Sequence, residues 1–228
     1  MNVVATEDTE DTNFTFAVLD ERQRDFPITF SPADPRAKEC FQSVWKRMVG
    51  AVESNHKASG SPPPDWARWS PWDWCLSSKP EVASREMVIG WSGDRMVGFL
   101  SLWSGFESQI TAGVKTLYVE HLAAFPGDIE TAIWGRLYRG VGMNLLGYAI
   151  LQSVGKGFDG RLSLHASNSD ALGFYRAVEH KLNAPLFHPE RTGILGPTPQ
   201  AARGDSAKTY LETTESGARA WLEGYRND

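Results

Sequence analysis

The sequence predicts one α/β domain built on a mixed sheet. Two observations carry this. Segments with apolar residues at every second position alternate along the chain with segments whose apolar residues recur at three and four. No internal repeat and no linker divides the chain into two cores, so one layered domain accounts for all of it. A length of 228 residues suits one large domain, and 41% apolar with 22% charged residues is a globular balance rather than a disordered or fibrous one.

Taken in order, residues 1–13 carry Glu7, Asp8, Glu10 and Asp11 without a base, which predicts a mobile acidic tail. Phe14–Leu19 and Pro27–Phe30 are short strand-like pieces. From Asp34 the spacing turns helical through Cys40, Phe41, Val44, Trp45, Met48 and Val52. Pro35 stands where a proline opens a helix, and a helix of about 17 residues is expected. Ser59-Gly60-Ser61-Pro62-Pro63-Pro64 then continues neither helix nor strand. Four of the nine tryptophans follow (Trp66, Trp69, Trp72, Trp74). They read either as a lid packing indoles over a core edge or as an aromatic wall beside an acceptor pocket.

Glu86–Trp91 and Met96–Trp103 form the clearest hairpin, with Gly93 supplying the positive φ of a tight turn. Val114–Ala124 is the next strand. If regular, it puts Leu117, Val119 and His121 on one face and Tyr118, Glu120 and Leu122 on the other. Leu145, Leu146, Ala149, Ile150 and Val154 mark a helix closed by Gly155 and Gly157. Leu162, Leu164 and Ala166 alternate as a strand, and a helix over Asp170–Val178 follows, with Ser167 and Asp170 at capping-box spacing. After a Pro- and Gly-rich excursion over 183–207, Lys208–Thr213 reads as a strand and Ser216–Tyr225 as a closing helix.

The net charge of −5 and the lack of a Lys/Arg stripe argue against a nucleic-acid partner, whose phosphates need a basic footprint. An acidic surface suits a cationic ligand such as an amine. No apolar run approaches the roughly 18 residues of a membrane span, so no membrane partner is expected. The acidic start lacks a secretory h-region, and Cys40 and Cys75 make no disulfide framework, so a reduced, cytoplasmic protein is expected.

The chemistry concentrates at Arg139-Gly140-Val141-Gly142-Met143-Asn144, where a loop enters an amphipathic helix. The first N–H groups of a helix have no partner inside it and its dipole makes that end partly positive. Two glycines keep side chains off that end and Arg139 adds a charge, a combination that suits an anion. The dinucleotide pattern fails because Gly140 and Gly142 are followed by Leu145, and no P-loop is present.

This turn resembles the R/Q-x-x-G-x-G/A pyrophosphate loop of the GNAT superfamily of acyl-CoA-dependent N-acyltransferases. Tyr118–Pro126 resembles that family's central splayed strand, and Asn168-Ser-Asp-Ala-Leu-Gly-Phe-Tyr175 its N-x-x-A-x-x-F-Y block. The matched part runs from about Glu86 to Val178. The resemblance implies a mixed, mostly antiparallel sheet splayed at its central strand and flanked by helices. It also implies acetyl-CoA as cosubstrate, held by Leu122, Ala123, Ala124, Arg139, Gly140, Val141, Gly142, Met143, Asn144 and Asn168. Two departures stand out: Asn144 replaces the loop's last small residue, and Gly127–Tyr138 is an insertion before the loop.

The family chemistry is direct attack of a neutral amine, on a small molecule or a protein, on the thioester. An alkylammonium has a pKa near 10.4, so a base must take its proton. Glu120 is the implied base, with pairing to a cation or binding of the ammonium as its other reading. On the opposite face of a regular strand, His121 reads as structural, and His165 is a reserve candidate. Tyr175 is the implied proton donor to the departing thiolate. No metal is required, and Cys40 and Cys75 have no His pattern beside them. A catalytically weak CoA-binding or interaction module is the alternative, and the oligomeric state stays open, a homodimer included.

Overall fold

The structure is a computed structural model that describes residues 15–19, 25–62, 85–125, 140–182, 184–197 and 208–227. Seven strands lie side by side in chain order: β1 (Thr15–Leu19), β2 (Asp25–Pro32), β3 (Arg85–Ser92), β4 (Arg95–Glu107), β5 (Lys115–Ala124), β6 (Leu162–Ala166) and β7 (Thr209–Glu212). Every neighbouring pair is antiparallel except β5 and β6, which run parallel. A parallel pair needs a crossover, and α3 (Val141–Gly155) lies within it. The mixed, mostly antiparallel sheet is the fold class expected from the sequence.

The first helical run is longer than its apolar spacing suggested. α1 (Pro35–Cys40) passes through a π turn (Phe41–Trp45) into α2 (Lys46–Ser59). Asp34 Oδ1 accepts the Ala37 N–H at 2.9 Å and Pro35 opens the first turn, so the sequence start signal holds. The β3–β4 hairpin turns on Gly93–Asp94 with Gly93 at φ 59°. Arg36 of α1 reaches it, its guanidinium 2.8 Å from Asp94 Oδ1 and 4.2 Å above the Trp91 ring.

Helices cover both faces. Leu100, Leu117, Leu145, Ile150, Leu162 and Trp221 share one core with α3, α4 (Ser169–Leu182) and α5 (Glu215–Asn227). On the opposite face Ile89, Met96 and Phe99 pack against Ala37 and Phe41. Each such side chain contributes about 1.5–3 kcal/mol by leaving water. No helix of the described residues is long and apolar enough to cross a membrane. The acidic tail 1–13, the Trp66–Trp74 segment, the 127–138 insertion, Arg139 and the 198–207 part of the excursion lie outside the described residues.

β5 is not a regular strand, and this changes its faces. The pairing with β4 steps from Leu102↔Val119 to Ser101↔His121, so Glu120 is an extra residue in β5. Such a bulge breaks the two-residue alternation. Leu117 and Val119 point into the α3–α5 core, and beyond the bulge it is Leu122 that packs against that core. Glu120 and His121 therefore share the α1 face, where a regular strand would have separated them. Their side chains meet, with His121 Nδ1 3.7 Å from Glu120 Oε2.

Candidate active site

The parallel strands part at their carboxyl ends. β5 pairs with β6 only over Leu117–Val119, opposite Leu162–Leu164, while its pairing with β4 continues to Ala124. Past Leu164, β6 is paired to β7 alone among the described strands. The β6-facing edge of Glu120–Ala124 thus offers backbone N–H and C=O groups to something other than a strand. Leu122, Ala123 and Ala124, expected along a cosubstrate arm, all lie on this splayed half and are half-buried or exposed.

The start of α3 adjoins that split. Gly98 of β4 lies opposite Ala124, and a Cβ there would stand 3.0 Å from Val141 Cγ1, 2.9 Å from Leu145 Cδ1 and 3.4 Å from the Ala123 carbonyl oxygen. The missing side chain seats the first turn of α3 directly over the end of β5. Gly140 precedes the helix at φ 83°, a conformation that L side chains rarely adopt. Among the described residues no side chain caps this helix, whereas Asn168 caps α4 and Thr214 caps α5. The first N–H groups of a helix have no partner inside it, so those of Val141, Gly142 and Met143 suit an anion, with the dipole behind them. The Lys181 ammonium of α4 comes within 3.7 Å of Met143 Sδ and brings a cation to the same turn.

Two residues of this turn do other work than an open loop requires. Asn144 is fully buried, so its side chain lies in the interior rather than at the helix mouth. A Cβ on Gly142 would meet the Phe174 ring at 3.2 Å, so this glycine admits an aromatic ring of α4 against the flank of the turn.

Glu120 sits at the bulge with its side chain 5% exposed. Its Oε2 accepts hydrogen bonds from Arg85 Nε at 3.0 Å and Nη2 at 2.5 Å, from Ser101 Oγ at 2.8 Å and from Trp103 Nε1 at 3.0 Å. Burial pushes the carboxyl up, but His121, Trp103 and Arg85 together outweigh it and hold the pKa at about 2. At 3.7 Å the His121 contact is electrostatic, too long for a direct hydrogen bond. A carboxylate so stabilised is a poor proton acceptor near neutrality. The geometry fits the second of the two readings given above for Glu120, pairing with a cation.

Tyr175 lies in α4 and is buried. Its ring meets Phe174 and Phe187 edge-on at 5.1 and 5.7 Å, and it lines a cavity of about 370 Å³ together with Leu172, Glu179, His188 and Leu211 of β7. Burial pushes its phenol above the ordinary value, so the hydroxyl stays protonated. The cap of α4 is Asn168, whose Oδ1 accepts the Ala171 N–H at 2.9 Å, rather than Ser167 of the expected capping box. That bond engages the oxygen, and the amide NH2 is the part of Asn168 suited to a ligand acceptor. His165 is hydrogen-bonded at both ring nitrogens: Nε2–H donates to the Ile194 carbonyl at 3.0 Å, which leaves Nδ1 to accept the Tyr118 hydroxyl at 2.8 Å.

Sequence reading missed Arg85, Ser101, Trp103 and Lys181. Ser101 and Trp103 alternate along β4 on one face, a legible signal, but their convergence on Glu120 depends on strand register. Lys181, at the far end of α4, carried no signal.

No protein-family model and no curated protein matches the chain. Among solved structures it is similar to an aminoglycoside 6'-acetyltransferase type Ii, at 13% identity over 82% of this chain and 96% of that one, with a TM-score of 0.42. It is similar to a GNAT family acetyltransferase from Elizabethkingia anophelis with acetyl-CoA bound, at 16% identity over 82% and 95%, TM-score 0.39. An acetyltransferase from Thermus thermophilus matches at 20% identity over 81% and 95%, TM-score 0.39. Likenesses this distant concern the fold alone.

Proposed function

We propose that the chain is an acetyl-CoA-dependent N-acetyltransferase that moves an acetyl group to a primary amine of a small molecule or protein by direct attack. The observation that carries the reading is the split between β5 and β6 beside a helix start that no described side chain caps, with Gly140 at its mouth. The residues fit acetyl-CoA: the N–H groups of Val141, Gly142 and Met143 with Lys181, and Arg139, which comes just before Gly140 in the sequence, would hold its diphosphate. Leu122–Ala124 would hold the arm through backbone groups, and Asn168 through its amide. Bound there, acetyl-CoA supplies an activated acyl carbon. Backbone donors on the splayed edge favour charge developing on the carbonyl oxygen. Tyr175, kept neutral by burial, is the proposed donor toward the leaving sulfur. Glu120 is the buried anion of the acceptor side.

Titration calorimetry with acetyl-CoA, followed by thiol release over a panel of amines and peptides, tests the reading. Saturable heat and amine-dependent thiol release are expected, and absence of heat with acetyl-CoA removes the proposal. Tyr175→Phe should lower the rate about 10²-fold or more without weakening acetyl-CoA binding. A second reading, a CoA-binding module without turnover, is favoured by the burial of Tyr175 between Phe174 and Phe187. Binding heat without thiol release would select it.

A further inference from the structure

We propose that the cavity between α4 and β7 is a binding site for a small organic cation, a primary ammonium on an apolar body, held by the Glu179 carboxylate and the Tyr175 hydroxyl. This goes beyond the acyltransferase reading and does not depend on it, because the cavity is not the split. Its lining includes Leu211 of β7, and β6 stands between β7 and β5. A volume of about 370 Å³ lies at the lower end of the range of small-molecule sites. The walls are tied to one another. Glu179 Oε1 accepts the Phe187 N–H at 2.8 Å, and Phe187 forms a β-bridge with Thr213, just past β7. Arg176 of α4 holds Glu190 through Nε at 2.9 Å and Nη2 at 3.0 Å. The cavity is thus formed without a ligand.

The lining selects the ligand. Leu172, Phe187 and Leu211 offer apolar surface, which favours a hydrocarbon body over water. Two carboxylates stand among them, and Glu190 is balanced by its paired Arg176. Glu179 has no cation partner among the described residues, and its Oε2 takes no hydrogen bond from them. Four residues earlier on the same face of α4, Tyr175 is 7% exposed, and its hydroxyl has no hydrogen-bond partner among the described residues. A buried polar group left in that state costs free energy that a bound partner returns. An ammonium carries three donors and no acceptor, so one such group satisfies Glu179 Oε2 and the Tyr175 oxygen together. The bond to Glu179 is charge-assisted, the stronger kind. An anion would meet the Glu179 charge instead, and a purely apolar ligand would leave both polar atoms without a partner.

Leucine-methyl ¹H–¹³C spectra of the full chain, titrated with phenethylamine, test the site without any turnover. Phenethylamine is protonated at neutral pH, and the Leu172 and Leu211 methyls should shift and saturate together as it binds. Phenethyl alcohol has the same apolar body and no charge, and it should bind about tenfold more weakly, or worse. Glu179→Gln should weaken phenethylamine by about tenfold or more and leave the alcohol unaffected. Glutamine still accepts the Phe187 N–H, so this variant keeps the wall in place and removes only the charge. Leu172→Trp fills the cavity and should abolish the shift of the Leu211 methyls. Overturning results are an absence of saturable shifts at Leu172 and Leu211, equal affinity for amine and alcohol, or equal loss of both in Glu179→Gln. The wild-type titration and Glu179→Gln decide the matter even where Leu172→Trp does not fold. Failure to bind acetyl-CoA bears on the acyltransferase reading alone, since no arm of this titration contains it.

Discussion

The two halves of β5 obey different rules. From Thr116 to Val119 the strand is buried on both faces and hydrogen-bonded to β4 and to β6. From Glu120 to Ala124 it carries a bulge, keeps β4 alone among the described strands and is partly open to solvent. The first half holds the sheet together. The second leaves backbone groups for a ligand, sets an ion pair beneath its bulge and receives the uncapped end of α3. Departures from regular structure cluster where a site is proposed, as expected when function competes with stability.

The largest effect should come from the ion pair under the bulge. Arg85 and Glu120 have side chains 7% and 5% exposed. Arg85→Met would leave a buried carboxylate with two of its charge-assisted hydrogen bonds gone, and should cost about 3–5 kcal/mol in urea unfolding. The double variant Arg85→Met with Glu120→Leu should recover most of that loss, because the stranded charge goes too. A double variant as unstable as the single one would mean that the pair is not the source. The same pair has a pH signature. Glu120 titrates at about 2 in the folded protein against an ordinary 4.5, so its stabilisation is complete above pH 4.5 and is lost as pH falls toward 2. The contribution is on the order of 2–3 kcal/mol at pH 7. Arg85→Met should shift the acid-unfolding midpoint upward.

Much of this contrast was legible in the sequence, and its limits are instructive. The hairpin, β5, α3, β6 and the closing strand and helix follow from alternation, from three-and-four spacing and from turn residues such as Gly93. Gly140 was readable as a helix-mouth glycine, and its φ of 83° is what that position demanded. The bulge was not readable, since Tyr118-Val119-Glu120-His121-Leu122 alternates smoothly on paper and only the register against β4 shows the extra residue. That one residue puts Glu120 and His121 on the same face. Likewise, Phe174 and Tyr175 are adjacent letters in one block. Helix rotation sends Phe174 to Gly142 and Tyr175 toward Phe187, a difference set by packing.

Truncations along β5 sharpen the same contrast. Leu117 is fully buried in the α3–α5 core, so Leu117→Ala should cost about 2–5 kcal/mol through lost burial and the cavity left behind. Leu122 packs on that core from the splayed half and is partly exposed, so Leu122→Ala should cost about 1 kcal/mol. The order reverses for the ligand: Leu122→Ala should weaken acetyl-CoA binding measurably, whereas Leu117→Ala, once folded, should bind normally. Comparable unfolding penalties at both positions would erase the distinction between the halves.

The smallest stability effect separates two helix starts. Gly140 opens α3 in the left-handed region, and among the described residues no side chain caps its N–H groups. Thr214 Oγ1, by contrast, accepts the Gly217 N–H at 2.8 Å at the start of α5. Gly140→Ala forces a Cβ into that conformation at about 1–2 kcal/mol, and Thr214→Ala removes a cap worth about 1 kcal/mol. By thermal unfolding the two variants should therefore look alike. By calorimetry they should not: an alanine at 140 can relieve its strain only by turning the loop and the first N–H groups of α3 away from their present direction, so acetyl-CoA binding should fall at least tenfold, while Thr214→Ala should bind as the wild type does. Equal binding in both variants would mean that the left-handed glycine serves only to start the helix, and the anion site would have to be sought elsewhere along the split.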